Sequence, residues 1–354
     1  LEYIYEYGLF LAQAVTFVAA LLILVAGLVA LAQKQKTELH EGHIEVRNLN
    51  DKYRQIGEML RHTVSRPEAL KALKKTEKKA EKLRARAEKK RRDKRDKSDA
   101  DQRRRHLYVL AFHGDLKASA TDNLREEISA VLPQVQAGDE ILVKVESPGG
   151  LVHGYGLAAS QLKRITDAQV PLTIAVDKVA ASGGYMMACV ANRIIAAPFA
   201  VLGSIGVLAQ LPNFNRLLKK HDIDFEFLTA GEYKRTLSIF GENTEKGRQK
   251  FMQELEETHA LFKSFVSANR PALDISRVAT GEVWYGQNAL EVGLVDELQT
   301  SDAFVQDRLA DWDVFEVRFL HRKSWQEKLG LAAESALEKT FLRIWQRSQQ
   351  RGSW

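Results

Sequence analysis

With 354 residues and 45% hydrophobic content, the chain is long enough for one large domain with appendages or two modest ones, and apolar enough for a real core. Its single cysteine, Cys189, excludes an internal disulfide framework and lies in an apolar run, as a small buried residue would. The net charge of +6 is uneven: Lys71 to Arg105 holds 18 Lys and Arg against 7 acids, a local net of +11, so the remainder carries −5 and the basic character belongs to one segment.

Residues 1–7 form a short flank with Glu2 and Glu6 and no basic residue, which is wrong for a signal peptide. Gly8 to Ala32 follows, 25 residues without a charge. At about 1.5 Å per helical residue this spans a ~30 Å hydrocarbon core with some tilt, so a transmembrane helix is predicted over 8–32. Residues 33–105 read as a basic helical arm or linker. Within it a short strand is expected around Ile44 to Val46 and a helix after Asn50. From Pro67 to Lys97 the Ala, Leu, Lys, Glu and Arg composition without glycine favours a solvated helix. No aromatic residues interleave the basic run for base stacking, so nucleic acid is not an expected partner. A spacer standing off the bilayer, or a contact with anionic headgroups worth ~1 kcal/mol per basic residue near the surface, fits better.

A folded domain is expected over 106–320. Strands are read at Leu107 to Phe112, Glu140 to Glu146, Pro171 to Val176, Arg193 to Ala196 and Asp224 to Leu228. Between them come helices at Asn123 to Gln136, with Asn123 and Glu126 at capping-box spacing, and at Gly154 to Asp167. A long helix follows at Asn243 to Asn269. Strand and helix in alternation point to an α/β domain with a largely parallel, covered sheet. The run Val179 to Leu211 is nearly free of charge, yet its glycines, Pro198 and Arg193 suit buried strands and turns better than a second membrane span. In the tail, 321–354, Leu337, Phe341, Ile344 and Trp345 recur at helical spacing, as an amphipathic helix docked on the core or a partner chain would require.

The chemistry gathers on three stretches. Ser182 stands between the apolar run Leu172 to Val176 and a segment rich in Ala and Met, at a strand-to-helix elbow followed by Gly183 and Gly184. Glycines there admit a substrate close to the backbone, and free amides at a helix start favour developing negative charge. A second glycine turn, Ser147-Pro148-Gly149-Gly150, ends another strand. A lone lysine, Lys234, sits in Gly231-Glu232-Tyr233-Lys234-Arg235-Thr236. A serine hydroxyl needs a base. Of nine histidines only His113 and His153 lie beside the glycine turns, His153 being the better candidate for a Ser–His arrangement. The G-x-S-x-G elbow of α/β-hydrolases is absent around Ser182. His40-Glu41-Gly42-His43 lacks zincin spacing, and no metal or other cofactor is expected. Lys234 serves as base if burial lowers its pKa, and a surface lysine is the bland alternative. Backbone amides of Gly150 and Gly183 are the natural oxyanion donors.

Ser147-Pro148-Gly149-Gly150, Ala181-Ser182-Gly183-Gly184-Tyr185, Gly203-Ser204-Ile205-Gly206-Val207, Tyr233-Lys234, and Gly281-Glu282-Val283-Trp284 through Gly293-Leu294-Val295-Asp296 together resemble the signal peptide peptidase A family of serine proteases, peptidase family S49. The resemblance covers about residues 104–320. It implies a ClpP/crotonase-like domain of repeated strand-strand-helix units, with Ser182 as nucleophile, Lys234 as general base, Gly150 and Gly183 as oxyanion hole, and Ser204 orienting the lysine amine. It further implies attachment to the bacterial inner membrane. The substrates would be peptides or proteins, such as signal-peptide remnants or envelope proteins. A ring-like or dome-like homo-oligomer is also implied, in which neighbouring protomers share the dyad, so that Ser182 and Lys234 of one chain are not hydrogen-bonded to each other. A crotonase-like acyl-CoA enzyme, which shares the glycine turns, and a catalytically silent membrane scaffold are the alternatives. The positive-inside rule would keep the basic arm and the domain cytoplasmic, whereas the resemblance suggests work on the outer face.

Overall fold

A computed structural model describes residues 16–17, 42–64, 82–83 and 103–321. The expected transmembrane helix apart from Thr16 and Phe17, most of the basic arm, and the amphipathic tail beyond His321 lie outside these residues. Among the described residues no helix is long and apolar enough to cross a membrane. The chain divides into two compact units, Val46–Arg318 and a second made of Leu1–Glu45 with Phe319–Trp354. Every candidate site residue lies in the first.

The sheet begins with β1 (Gly42–Asn48) and α1 (Leu49–Val64), then β2 (Arg105–His113), α2 (Thr121–Val131), β3 (Glu140–Glu146), α3 (Val152–Asp167) and β4 (Leu172–Val176). After the short strand β5 (Val179–Ala181) come α4 (Gly183–Ala188), β6 (Arg193–Ala196), β7 (Val201–Gly203), α5 (Asn215–Lys220) and α6 (Glu245–Asn269). The order closes with α7 (Ile275–Val278), β8 (Val283–Tyr285), α8 (Gly286–Glu291), β9 (Glu297–Leu298), α9 (Ser301–Arg308) and β10 (Trp312–His321). Two sheets result among the described residues: seven strands in the order β1-β10-β2-β3-β4-β6-β9, and three in the order β5-β7-β8. From β10 to β9 the large sheet is parallel throughout.

A parallel sheet needs cover on both faces. One face supplies Leu107, Val109, Leu142, Ala175, Ile195 and Val314 to a core shared with Leu49 of α1 and with Phe304 and Val305 of α9. The alternate residues Leu110, Val143, Ile174 and Ile194 are equally buried. That is why these strands read as unbroken apolar runs rather than alternating ones. The strand around Ile44 to Val46 and the helix after Asn50 are found, the latter starting already at Leu49. Asn50 also ties α1 to the sheet, its side-chain amide donating to Trp312 O at 2.8 Å while its Oδ1 accepts from Val314 N at 2.7 Å.

Two local expectations fail. The helix expected from Asn123 starts at Thr121 with Ala120 at its cap, so Asn123 lies inside the first turn and no capping box forms. Its last turn tightens to a 3₁₀ turn at Leu132–Gln134, where Pro133 cannot continue the α pattern. Asp224 to Leu228 is no strand. Its alternating aromatics find no strand edge; Phe225 and Phe227 stack on each other at 6.3 Å instead.

Candidate active site

β3 and β4 end side by side, and the chain leaving β3 is sewn to β5. Ser147 N donates to Val179 O at 2.8 Å, and Ala181 N donates to Ser147 O at 3.0 Å, a parallel bridge between Ser147 and Ala180. β5 in turn pairs with β7, Ala181 opposite Gly203. Ser182 and Ser204 therefore leave two neighbouring parallel strands at the same level, and Ser182 N donates to Gly203 O at 2.8 Å.

Ser182 has φ 53° and ψ −117°, a backbone state that non-glycine residues enter at a cost of about 1–3 kcal/mol. The bonds of its own amide to Gly203 O and of Met186 N to Ser182 O (2.9 Å) hold it there and start α4. The residue is half-buried, and its hydroxyl hydrogen-bonds no described residue. Against this elbow lies Gly149, at φ 92°. A Cβ on Gly149 would stand 2.8 Å from Ala181 O, Gly183 N and Ser182 Cβ, so only glycine lets the two turns meet.

The flanking amides are occupied: Gly149 N donates to Ser147 Oγ at 3.1 Å and Leu151 N to Leu116 O at 2.8 Å. Between them Gly150 N engages no described residue, and Gly183 N is likewise unengaged at the start of α4. The turn that carries Gly150 thus meets the elbow that carries Ser182 and Gly183. Ser204 sits at φ 50° with its amide donating to Glu282 O at 2.6 Å, directly after the residue that accepts from Ser182.

Lys234 is different. It lies in an exposed loop, its backbone N donating to Gly231 O at 3.2 Å, and its amine hydrogen-bonds no described residue, Ser182 included. Its neighbours are engaged. Glu232 pairs with Lys246 on α6 at 2.5 Å, and that hydrogen bond holds the Glu232 carboxyl below the usual range. Tyr233 lies under the Lys246 and Lys250 amines at 5.9 and 5.6 Å, and the Arg235 guanidinium sits over Phe227 at 5.6 Å. The burial expected of Lys234 is not present in the single chain. The same projecting region exposes Leu208, Phe214, Leu217, Ile223 and Leu228, the last 90% exposed.

The histidine alternative loses its geometry. His153 points from the exposed start of α3, and His113 faces Glu146 at 3.7 Å; neither bonds Ser182. Among the described residues no group of His, Cys, Asp and Glu could hold a metal ion. Cys189 is buried, which pushes its thiol up to about 12 and makes it a poor nucleophile.

Three residues near the site carry more than their sequence context suggests. Ser147 and Tyr155, both fully buried, form a hydroxyl pair at 2.5 Å beneath the Gly149 turn. His259 on α6 reaches Ile205 O at 3.2 Å, beside Ser204. A tyrosine among the small residues of α3 was the one sequence signal for the first pair, and nothing in the charged stretch around His259 marks it.

Comparison with known proteins extends over nearly the whole chain. The model of the N-terminal part of peptidase family S49 matches residues 2–162, and the peptidase family S49 model matches residues 164–313. A probable protease SohB of Haemophilus influenzae is 50% identical over 330 residues, 93% of each chain. A probable protease SohB of Buchnera aphidicola subsp. Schlechtendalia chinensis is 46% identical over 315 residues, 87% of this chain and 100% of that one. A solved structure of a membrane-bound stomatin-specific protease superposes with TM-score 0.41 and 14% identity, over 62% of this chain and 100% of that one. The chain belongs to peptidase family S49 and is a protease of that family.

Proposed function

We propose that the chain is a membrane-anchored serine endopeptidase of ClpP/crotonase type, working through a Ser182–Lys234 dyad. The observation that carries this reading is the meeting of two glycine turns. Gly149 presses on the Ser182 elbow, and the Ser182 hydroxyl and the amides of Gly150 and Gly183 engage no described residue. Ser182 Oγ attacks the scissile carbonyl carbon as the Lys234 amine takes its proton. The carbonyl oxygen becomes an oxyanion between the Gly150 and Gly183 amides. Lys234 then gives the proton to the leaving nitrogen, the C–N bond breaks, and an acyl-enzyme remains. Water, deprotonated by the same amine, adds to the ester carbonyl, and as the C–O bond breaks the amine returns that proton to Ser182 Oγ. Each oxyanion donor of this kind contributes about 3–4 kcal/mol in the transition state.

Lys234 is exposed and its amine engages no described residue, which supports a reading in which a second protomer brings an amine to Ser182 and excludes water from it. The exposed apolar side chains on the same projection favour that assembly, and Ser204 is suited to orient the incoming amine. The uncharged stretch Gly8 to Ala32 supplies the bilayer attachment, and signal-peptide remnants or membrane and envelope proteins are the substrates that this attachment favours. A cysteine mechanism is disfavoured, since the one cysteine in the sequence is buried with its thiol pushed up to about 12.

A fluorophosphonate probe tests the assignment. It is expected to label the wild-type assembly at Ser182 and to fail on both Ser182→Ala and Lys234→Ala. Undiminished labelling of the serine variant would remove the nucleophile. Absence of labelling and of peptide hydrolysis in a properly assembled wild type would instead favour a silent scaffold.

A further inference from the structure

We infer that Tyr155 is the positioning residue of the oxyanion hole: its hydroxyl orders the Ser147–Gly149 turn on one side, and its ring seats Gly183 on the other. The inference rests on the reading of Ser182 as nucleophile with Gly150 and Gly183 as oxyanion donors.

The proton directions follow from the partners. Tyr155 Oη lies 2.8 Å from Asp115 O, a carbonyl that can only accept, so the phenol proton points there. The 2.5 Å contact between Tyr155 Oη and Ser147 Oγ must then have Ser147 as its donor. With its proton directed at Tyr155, Ser147 Oγ has lone pairs left for Gly149 N–H, which donates to it at 3.1 Å. The chain of bonds runs Gly149 N–H to Ser147, Ser147 O–H to Tyr155, Tyr155 O–H to Asp115. No member can reverse without losing a bond. Both hydroxyl residues are fully buried, so water does not compete. A side chain on Gly114 would collide with both hydroxyls, which shows how closely the pair is enclosed. Gly149, held at its amide and at φ 92°, aims the next peptide, whose N–H is that of Gly150. The far side of that peptide is held by Leu151 N on Leu116 O at 2.8 Å.

The ring of the same residue faces the other donor. Any Cβ on Gly183 would run into Tyr155 Cγ and Cδ2, so the ring packs flush on the backbone that carries the Gly183 amide. Phe112 braces the ring from behind, edge to face at 6.3 Å. One side chain on α3 therefore touches both halves of a hole whose donors are 33 residues apart in sequence. Since such donors act only when aimed in advance at the developing charge, removing the hydroxyl is expected to lower transition-state stabilisation without touching the base.

The test uses the full-length assembled enzyme. Three quantities are measured: kcat and KM on a peptide substrate, inhibition by the corresponding peptide aldehyde, and, with Ser182→Ala added, the affinity for the uncleaved peptide. The aldehyde forms a hemiacetal with Ser182 whose oxygen occupies the hole. For Tyr155→Phe, kcat is expected to fall about 10- to 100-fold. The aldehyde should weaken by the same factor, peptide affinity should change by less than about twofold, and the pH profile should keep its shape. Ser147→Ala should act in the same direction, and the double variant should be no worse than the poorer single one. If Tyr155→Phe lacks a cooperative melt, the same comparison is made on Ser147→Ala. Wild-type kcat and aldehyde inhibition in these variants, or equal losses of aldehyde and peptide affinity, would overturn the inference while an inactive Ser182→Ala leaves the parent reading standing. An active Ser182→Ala would remove that reading, and this one with it.

Discussion

Around Ser182 the backbone is held from three sides: by Gly203 O at its amide, by Gly149 pressed on its turn, and by Tyr155 behind Gly183. Around Lys234 the chain is held by its own amide on Gly231 O, by an exposed Glu232–Lys246 pair and by Tyr233 under two lysines, and the amine itself engages no described residue. The first region is the product of a sheet covered on both faces, where parallel strands deliver two turns to one edge. The second is a projection with aromatic residues at 5.7–6.3 Å from one another and half-open to water. On the proposed reading, the contrast is that the single chain arranges the electrophile-binding half of the site and leaves the base to be completed by assembly.

The largest effects come from removing the proposed dyad itself. Ser182→Ala and Lys234→Ala should each lower peptide hydrolysis by at least ~10⁴-fold, as for nucleophiles and bases that act as a unit. Their thermal unfolding should stay within about 0.5 kcal/mol of wild type for Lys234→Ala, whose side chain is exposed. A Lys234→Ala enzyme with wild-type turnover would erase the distinction between the two regions. Next in size is Gly149→Ala. At φ 92°, with three atoms at 2.8 Å from the added Cβ, it should misplace the turn and cost about 10²–10³ in kcat. It should also lower the melting temperature, as read by calorimetry.

A stability prediction sharpens the comparison from the side of α6. Arg270 at its end donates to both oxygens of Asp296 at 2.8 and 2.7 Å, and Asp296 Oδ2 also accepts from Ile194 N at 2.7 Å. Burial pushes the Asp296 carboxyl up, but the Arg270 hydrogen bonds and charge outweigh it and hold the group below the usual carboxylate range. The pair's contribution is therefore complete above the unfolded carboxyl value near ~3.9 and is lost as pH falls through the lower folded value. Asp296→Asn should cost about 2 kcal/mol near neutral pH, less than the ~3–5 kcal/mol of a fully enclosed pair, because the carboxylate side chain keeps 36% exposure. Denaturant titration at pH 7 and pH 3 should show that difference shrinking at the lower pH. Smallest of all, Leu228→Glu should leave the unfolding free energy of the chain within about 0.5 kcal/mol, since the side chain is 90% exposed. Sedimentation should nevertheless show weakened self-association, and an unchanged assembly would detach the projection from the proposed interface.

How much of this was legible beforehand depends on where the signal is local. The strands from Leu107 to Val176 were readable because a sheet buried on both faces demands unbroken apolar runs. Ser182, Gly149, Gly150 and Gly183 stood out because sharp turns and close backbone approach admit few residue types. Phe225 to Leu228 misled, since strand periodicity carries no information on whether an edge is there to receive it. The cap at Asn123 misled for a related reason: Thr121 and Leu124 are buried, and packing started the helix three residues earlier than the capping pattern suggested. Ser147 and Tyr155 could be read as motif residues but not as a pair, because an i, i+8 contact across a strand end and a helix exists only once both are packed. Nor could the environment of Lys234 be read, as its neighbours belong to another copy of the chain in the proposed assembly.

The central claim is that the hydroxyl and the amine come from different protomers. It is tested most directly by co-expressing Ser182→Ala with Lys234→Ala and measuring peptide hydrolysis by the purified mixed assemblies. Each variant alone should be inactive, and the mixture should regain activity at roughly a quarter of the sites, the fraction random pairing gives when an intact serine faces an intact lysine. Mixed assemblies as inactive as their parents would contradict the account.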